Sequence, residues 1–186
     1  MASHNPNRIW EACLKKATSR KTRDKLRTKI KEISKNKQGL SSSFLTEILF
    51  ELPNFIGVFP QDFLCSLDII TIPVSFIINL DLSSEPGSHW LALIISEKSI
   101  EIYDSFGLDP KSWQRKPSLL FRFLKKFETT HKIFILPKFQ PLDSNLCGVY
   151  CIFFLIIRLS LSFTEIKKLF TSDTDLNSSI LLSFFE

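Results

Sequence analysis

Glycine is scarce in this sequence, with 5 residues, against an average usage of ~7%. Each one therefore calls for a reason, such as a turn or a close approach that a side chain would block. The four cysteines, Cys13, Cys65, Cys147 and Cys151, include no two pairs with zinc-ligand spacing, so no metal site and no cofactor is expected. The opening residues MASHNPNRIW contain no apolar core of a secretory signal. The protein is therefore expected to stay out of the secretory route and to keep its thiols reduced. Long apolar runs are missing too. The most apolar stretch, Leu146 to Ile157, is 12 residues long before Arg158 interrupts it. That is too short to span a bilayer and reads as a buried core helix, with no membrane partner expected. No internal repeat and no low-complexity tract appears.

What is present describes an ordinary globular chain. Its 186 residues are 44% hydrophobic and 23% charged, which excludes wholesale disorder. At this length about 70% of the unfolded surface can be buried without disulfides or metal. Phenylalanine is abundant, with 18 residues, and the net charge is +5. The charge is uneven: residues 1–40 hold 12 Lys/Arg against 3 Asp/Glu, while the remainder holds 12 against 16. Basic character belongs to an N-terminal segment, either as a solvated helix face or as a surface that meets DNA without sequence preference. Residues 1–40 are accordingly separated from a main domain at 41–186.

Between Arg8 and Lys35, apolar residues recur at three- and four-residue steps among Lys and Arg, predicting one or two basic amphipathic helices. Ser41 to Phe50 predicts a capped helix stopped by Pro53. Residues 55–67 read as a loop followed, after Pro60, by a short helix. Four strands follow at Val74–Leu80, Trp90–Ser96, Ile100–Tyr103 and Lys132–Leu136. The near-continuous apolarity of the first two predicts central strands covered on both faces. Lys116–Phe127 reads as an amphipathic helix, Cys147 to about Ser160 as a long apolar one, and two short helices close the chain near 164–171 and 174–185. Helices, then strands, then helices make the class α+β.

Four polar or reactive residues stand at element boundaries of this apolar frame. His89 starts one strand, Asp104 ends the next, Gln140 lies in the loop after KIFILPK, and Cys147 opens the apolar helix. An antiparallel hairpin of WLALIIS and IEIYD brings His89 and Asp104 together, because one strand begins where the other ends. A helix N-terminus favours a thiolate at Cys147. With His89 in reach, the pair has the form of nucleophilic acyl transfer, and Asp104 would hold the second imidazole nitrogen. The Gln140 amide and the Cys147 backbone N–H would then donate to an oxyanion. Gly87, Gly107 and Gly148 each lie within three residues of this set, and Gly148 would leave room for a substrate backbone. Cys151 reads as a core thiol, His4 and His131 as surface residues, Trp10 and Trp113 as packing residues, and Asp143 and Ser144 as turn formers.

The strings PGSHWLALII, IEIYDSFG and FQPLDSNLCGVYC resemble the adenain-like cysteine proteases of adenoviruses, Polintons and adintoviruses, relatives of the SUMO-specific proteases. GVFPQDFL and INLDLSSEPGSHW look closest to the Polinton and adintovirus enzymes, and the likeness covers about residues 55–160. Leu146 stands where the SUMO proteases carry Asp, and Asp104 where adenovirus enzymes mostly carry Glu. The resemblance implies a papain-like fold with a central mixed sheet flanked by helices and the order His, Asp, Gln, Cys. It implies His89 as general base, Asp104 as its orienting acid, Cys147 as nucleophile and Gln140 as oxyanion donor. Trp90 would wall a narrow channel for small residues ahead of the scissile bond. The implied activity is a monomeric endopeptidase cleaving viral capsid and core precursors, in the host nucleus and virion or in the host cytoplasm. The alternative is an isopeptidase removing SUMO- or ubiquitin-like modifiers.

Overall fold

The computed structural model describes residues 5–36, 38–108 and 119–186. His4, Trp113 and the first residues of the helix predicted from 116 lie outside them. Seven helices and five strands are present among the described residues. In chain order these are α1 Pro6–Ala17, α2 Arg20–Asn36, α3 Ser42–Leu49, β1 Phe55–Pro60, β2 Val74–Asn79, β3 Trp90–Ile95, β4 Ser99–Tyr103, α4 Leu119–Lys125, β5 Lys132–Ile135, α5 Cys147–Ile157, α6 Phe163–Lys167 and α7 Thr174–Ser183. A single 3₁₀ turn at Gln61–Cys65 follows β1.

The strands form one mixed sheet in the order β1-β2-β3-β4-β5. The pairs β2–β3 and β3–β4 are antiparallel, whereas β1 and β5 run parallel to their neighbours. Alternation along the strands sends side chains to two separate cores. Ile77, Ala92 and Tyr103 face a large cluster built by α1, α2, α3, α5, α6 and α7. Phe76, Ile78, Leu91, Leu93, Ile100 and Ile102 face a smaller one closed by α4 and the 3₁₀ turn. Burial on both sides is why β2 and β3 are almost wholly apolar.

Some elements depart from the sequence reading. Residues 55–60, expected as a loop, form the edge strand β1, whose register to β2 shifts between Phe55 and Val58. The irregularity lies at Gly57 and hides the period-two pattern by which a strand is recognised. α5 ends at Ile157, before Arg158, while α4 ends at Lys125 and α6 at Lys167. Arg158 clamps the Glu101 carboxylate through Nε and Nη2, at 2.8 and 2.9 Å, which ties the end of α5 to β4.

The basic N-terminal segment shares the main core. Trp10, Cys13, Leu14 and Ala17 of α1 and Leu26, Ile30 and Ile33 of α2 are buried in the same cluster as residues 149–157 of α5. Trp10 packs against Phe153 and Phe185, with ring centroids 5.2 and 4.9 Å apart. The lysines and arginines are thus the outer face of two helices whose inner face supports α5.

Candidate active site

The site lies where the C-terminal end of β2, the start of β3, the end of β4 and the N-terminus of α5 converge. The β3–β4 register, with Ala92 opposite Tyr103, leaves His89 and Asp104 just beyond the ladder on the same side. His89 Nε2 donates to Asp104 Oδ1 at 2.8 Å, with the histidine 5% exposed and the aspartate 0%. Since Nε2 keeps its hydrogen and donates it to the carboxylate, the neutral ring presents Nδ1 as its basic atom. Nδ1 is buried and makes no well-formed hydrogen bond among the described residues. The Cys147 sulfur is nonetheless near enough to raise the imidazole's proton affinity. Burial lowers the His89 pKa, but the hydrogen bonds and negative charges of Asp104 and Cys147 outweigh it and raise the value from 6.5 to about 9.

Asp104 is held by the backbone that follows it. Oδ1 also accepts from Phe106 N at 2.9 Å, and Oδ2 accepts from Leu108 N at 3.1 Å. The chain turns tightly enough for Gly107 N to reach Asp104 O at 3.0 Å. Gly107 has φ +59, and a Cβ there would sit 2.3 Å from the Lys138 backbone nitrogen. Only glycine fits both the left-handed conformation and that approach. The turn also lays Phe106 over His89, with centroids 4.3 Å apart and planes at 25°, which fixes the imidazole plane.

Cys147 is the first residue of α5 and is 8% exposed. Leu146 precedes it and gives the helix no side-chain cap, although the first turn of a helix leaves backbone N–H groups without intrahelical partners. Cys151, one turn on, is fully buried, and burial together with the charges of Cys147 and Asp104 pushes its pKa well above the ordinary thiol range. It remains a protonated core thiol.

Gln140 is fully buried and cross-braces the loops on either side of the site. Its Oε1 accepts from Ser105 Oγ at 2.6 Å, and its Nε2 donates to Ser144 O at 2.7 Å. Because a carbonyl only accepts, the amide nitrogen must be the atom facing Ser144. One of the two amide hydrogens is thereby used and the second is left for another acceptor. Ser105 O in turn accepts from both Phe139 N and Gln140 N at 2.8 Å. Ser144 does form a turn, its Oγ accepting from Leu146 N at 3.3 Å.

Trp90 and Gly148 meet each other. The Trp90 indole N–H donates to Leu40 O at 2.9 Å. A Cβ on Gly148 would come within 3.0 Å of Leu40 Cβ and 3.4 Å of Trp90 Cδ1. The space beside Gly148 is therefore filled by Leu40 and Trp90. It is not open to a substrate backbone, which corrects the expectation drawn from the bare glycine. Trp90 instead borders an open cleft with Val58, Phe59, Leu82 and Gly87. Leu40, Ser105 and Phe106 carried no chemical signal in the sequence, although Ser105 and Phe106 directly follow the aspartate. Among the described residues, no three His, Cys, Asp or Glu side chains gather as metal ligands, and no helix is long and apolar enough to cross a membrane.

No family model matches this chain, and no curated protein matches it. Among solved structures it is similar to the ASFV pS273R protease, at 25% sequence identity and a TM-score of 0.37, over 60% of this chain. The match spans 43% of that protein's length.

Proposed function

We propose that this protein is a cysteine endopeptidase of the adenain-like type. The observation that carries the reading is the buried Asp104–His89 pair, whose imidazole is raised to a pKa of about 9 in the presence of Cys147 at the uncapped start of α5. In this mechanism His89 Nδ1 takes the thiol proton, and the Cys147 sulfur attacks a peptide carbonyl. The Cys147 backbone N–H and the remaining Gln140 amide hydrogen stabilise the oxyanion. As the C–N bond breaks, the imidazolium gives its proton to the leaving amine. Water, deprotonated by His89, then hydrolyses the thioester.

The substrate in this reading is an extended segment of a viral capsid or core precursor, with glycine or another small residue next to the cut. Trp90 and the cleft beside it supply the narrow wall that would impose this choice. The enzyme would act as a monomer in the nucleus or in the assembling particle. The exposed basic face of α1 and α2 would hold it on packaged DNA through non-specific phosphate contacts.

The test is cleavage of precursor-derived peptides by the parent and by Cys147→Ala. The variant should fold normally and have no activity. Iodoacetamide at mildly acidic pH should label Cys147 ahead of the exposed Cys65 and the buried Cys13 and Cys151. Full activity in Cys147→Ala, or release of ubiquitin-like modifiers with no precursor cleavage, would overturn the assignment.

A further inference from the structure

The cleft beside Trp90 has a volume of about 260 Å³, and Asn79, the last residue of β2, is among the residues that line it. Asn79 is 6% exposed. Its Oδ1 accepts from Asp81 N at 2.9 Å and from Ser88 N at 3.3 Å. Both partners are backbone donors, so the oxygen must face them and the orientation of the amide is settled. Nδ2 is left on the opposite side, next to Gly87. A Cβ on Gly87 would come within 2.7 Å of Nδ2, and Gly87 has φ +89. A glycine here lets the chain pass without covering the amide nitrogen. Among the described residues, no acceptor is bonded to Nδ2. Nδ2 is not closed off from solvent, so its N–H groups remain available to an acceptor that enters the cleft Asn79 lines.

We propose that Asn79 Nδ2 binds a backbone carbonyl of the substrate, in the stretch ahead of the scissile bond. This inference rests on the reading of the protein as a peptidase. An extended peptide in the cleft presents carbonyl oxygens along its length, and Val58, Phe59, Leu82 and Trp90 supply the apolar walls. The distance of the donor from the chemistry is set by the sheet. Asn79 is paired with Trp90 in the β2–β3 register, and Leu80 N donates to His89 O at 3.1 Å. A carbonyl held by Nδ2 is thus positioned relative to the imidazole by a rigid ladder, which is how a bound peptide is kept in attacking geometry. The same side chain organises the 81–88 loop through Oδ1. The two halves of one amide therefore serve two ends, and they can be separated by substitution.

Asn79→Asp separates them, because it keeps an oxygen for Asp81 N and Ser88 N and replaces the donor by an acceptor. The probe is a peptide aldehyde ending in Gly-Gly, to which the Cys147 thiol adds reversibly, forming an S–C bond while the thiol proton passes to oxygen. The variant should bind this aldehyde about tenfold more weakly or worse, the loss of one hydrogen bond. Its iodoacetamide reactivity at Cys147 and the pH profile of that reaction should follow the parent. In a series of aldehydes with each backbone carbonyl replaced in turn by methylene, one position should cost the parent about tenfold and cost Asn79→Asp nothing. Equal inhibition of parent and variant overturns the inference. So does a parallel loss of iodoacetamide reactivity, which would make Asn79 only a brace. If the variant does not fold, the methylene series on the parent decides alone, and insensitivity at every position overturns the inference. A parent that binds no aldehyde and cleaves no peptide refutes the peptidase reading itself, and this inference with it.

Discussion

Asp104→Asn isolates the electrostatic part of the site. In the parent, the His89 pKa of about 9 means that the imidazolium persists through neutral pH and is lost as pH rises through about 9. Since the ordinary value is 6.5, the raised affinity stabilises the folded protein fully below pH ~6.5 and fades as pH rises to ~9, by about 3 kcal/mol at most. Asparagine keeps one oxygen for His89 Nε2 and Phe106 N but turns an N–H₂ toward Leu108 N, which also donates. The charge is removed and one backbone donor loses its partner, at about 1 kcal/mol of stability. Burial, the largest influence on His89, then acts against only the thiolate, so the imidazole should titrate near its ordinary value or below. If its pKa falls to ~6.5, the protonated fraction drops about tenfold at pH ~7.5 and about 80-fold at pH ~8.5. The assay is kcat/KM for a peptide, with iodoacetamide labelling of Cys147 alongside, from about pH 5 to about pH 10. The parent's activity should decline on the alkaline side near pH 9, and the variant's decline should begin about two units lower. An unchanged alkaline limb in the variant, or a parent that already fails near pH 7, would refute the assignment of Asp104 as the group that holds the charge.

Other perturbations test different parts of the frame. Gly107→Ala places a Cβ 2.3 Å from the Lys138 backbone nitrogen at φ +59. It should cost roughly 3 kcal/mol, lowering Tm by roughly 10 °C and activity with it; a thermal melt unchanged within a degree would show that the turn is not so constrained. Gln140→Ala should lower kcat by ~10² with little change in KM, and an effect confined to KM would reassign the amide to ground-state binding. On the basic face, Arg23 is engaged by Thr18 O and Arg27 by Glu11, so the informative substitutions are Lys15, Lys16, Arg20 and Lys21 to Gln. If about six charges meet phosphates, log K for duplex DNA should fall against log salt with a slope near −5, and the fourfold variant should flatten it; no DNA binding by the parent at low salt leaves those helices a purely structural role.

The α+β class, the capped α3 and the apolar α5 follow from local pattern, because periodicity and capping are properties of a few adjacent residues. The pairing of His89 with Asp104 was legible for a related reason. A short turn forces WLALIIS and IEIYD into a hairpin, and a hairpin brings its two outer ends together whatever surrounds it. The candidate role of Cys147 also had a local basis, since the start of a helix is visible in sequence. What the tertiary structure alone decided are the contacts between distant segments. β1 was hidden because its alternation is interrupted at Gly57 and its partner is a parallel strand reached through a crossover. Gly148 seemed to offer space, and Leu40, more than a hundred residues earlier, fills it. The cross-brace of Gln140 with Ser105 and the free face of the Asn79 amide depend on which backbone groups arrive from elsewhere. Hydrogen bonds are short-ranged and directional, so no spacing along a chain specifies them until packing has set the distances.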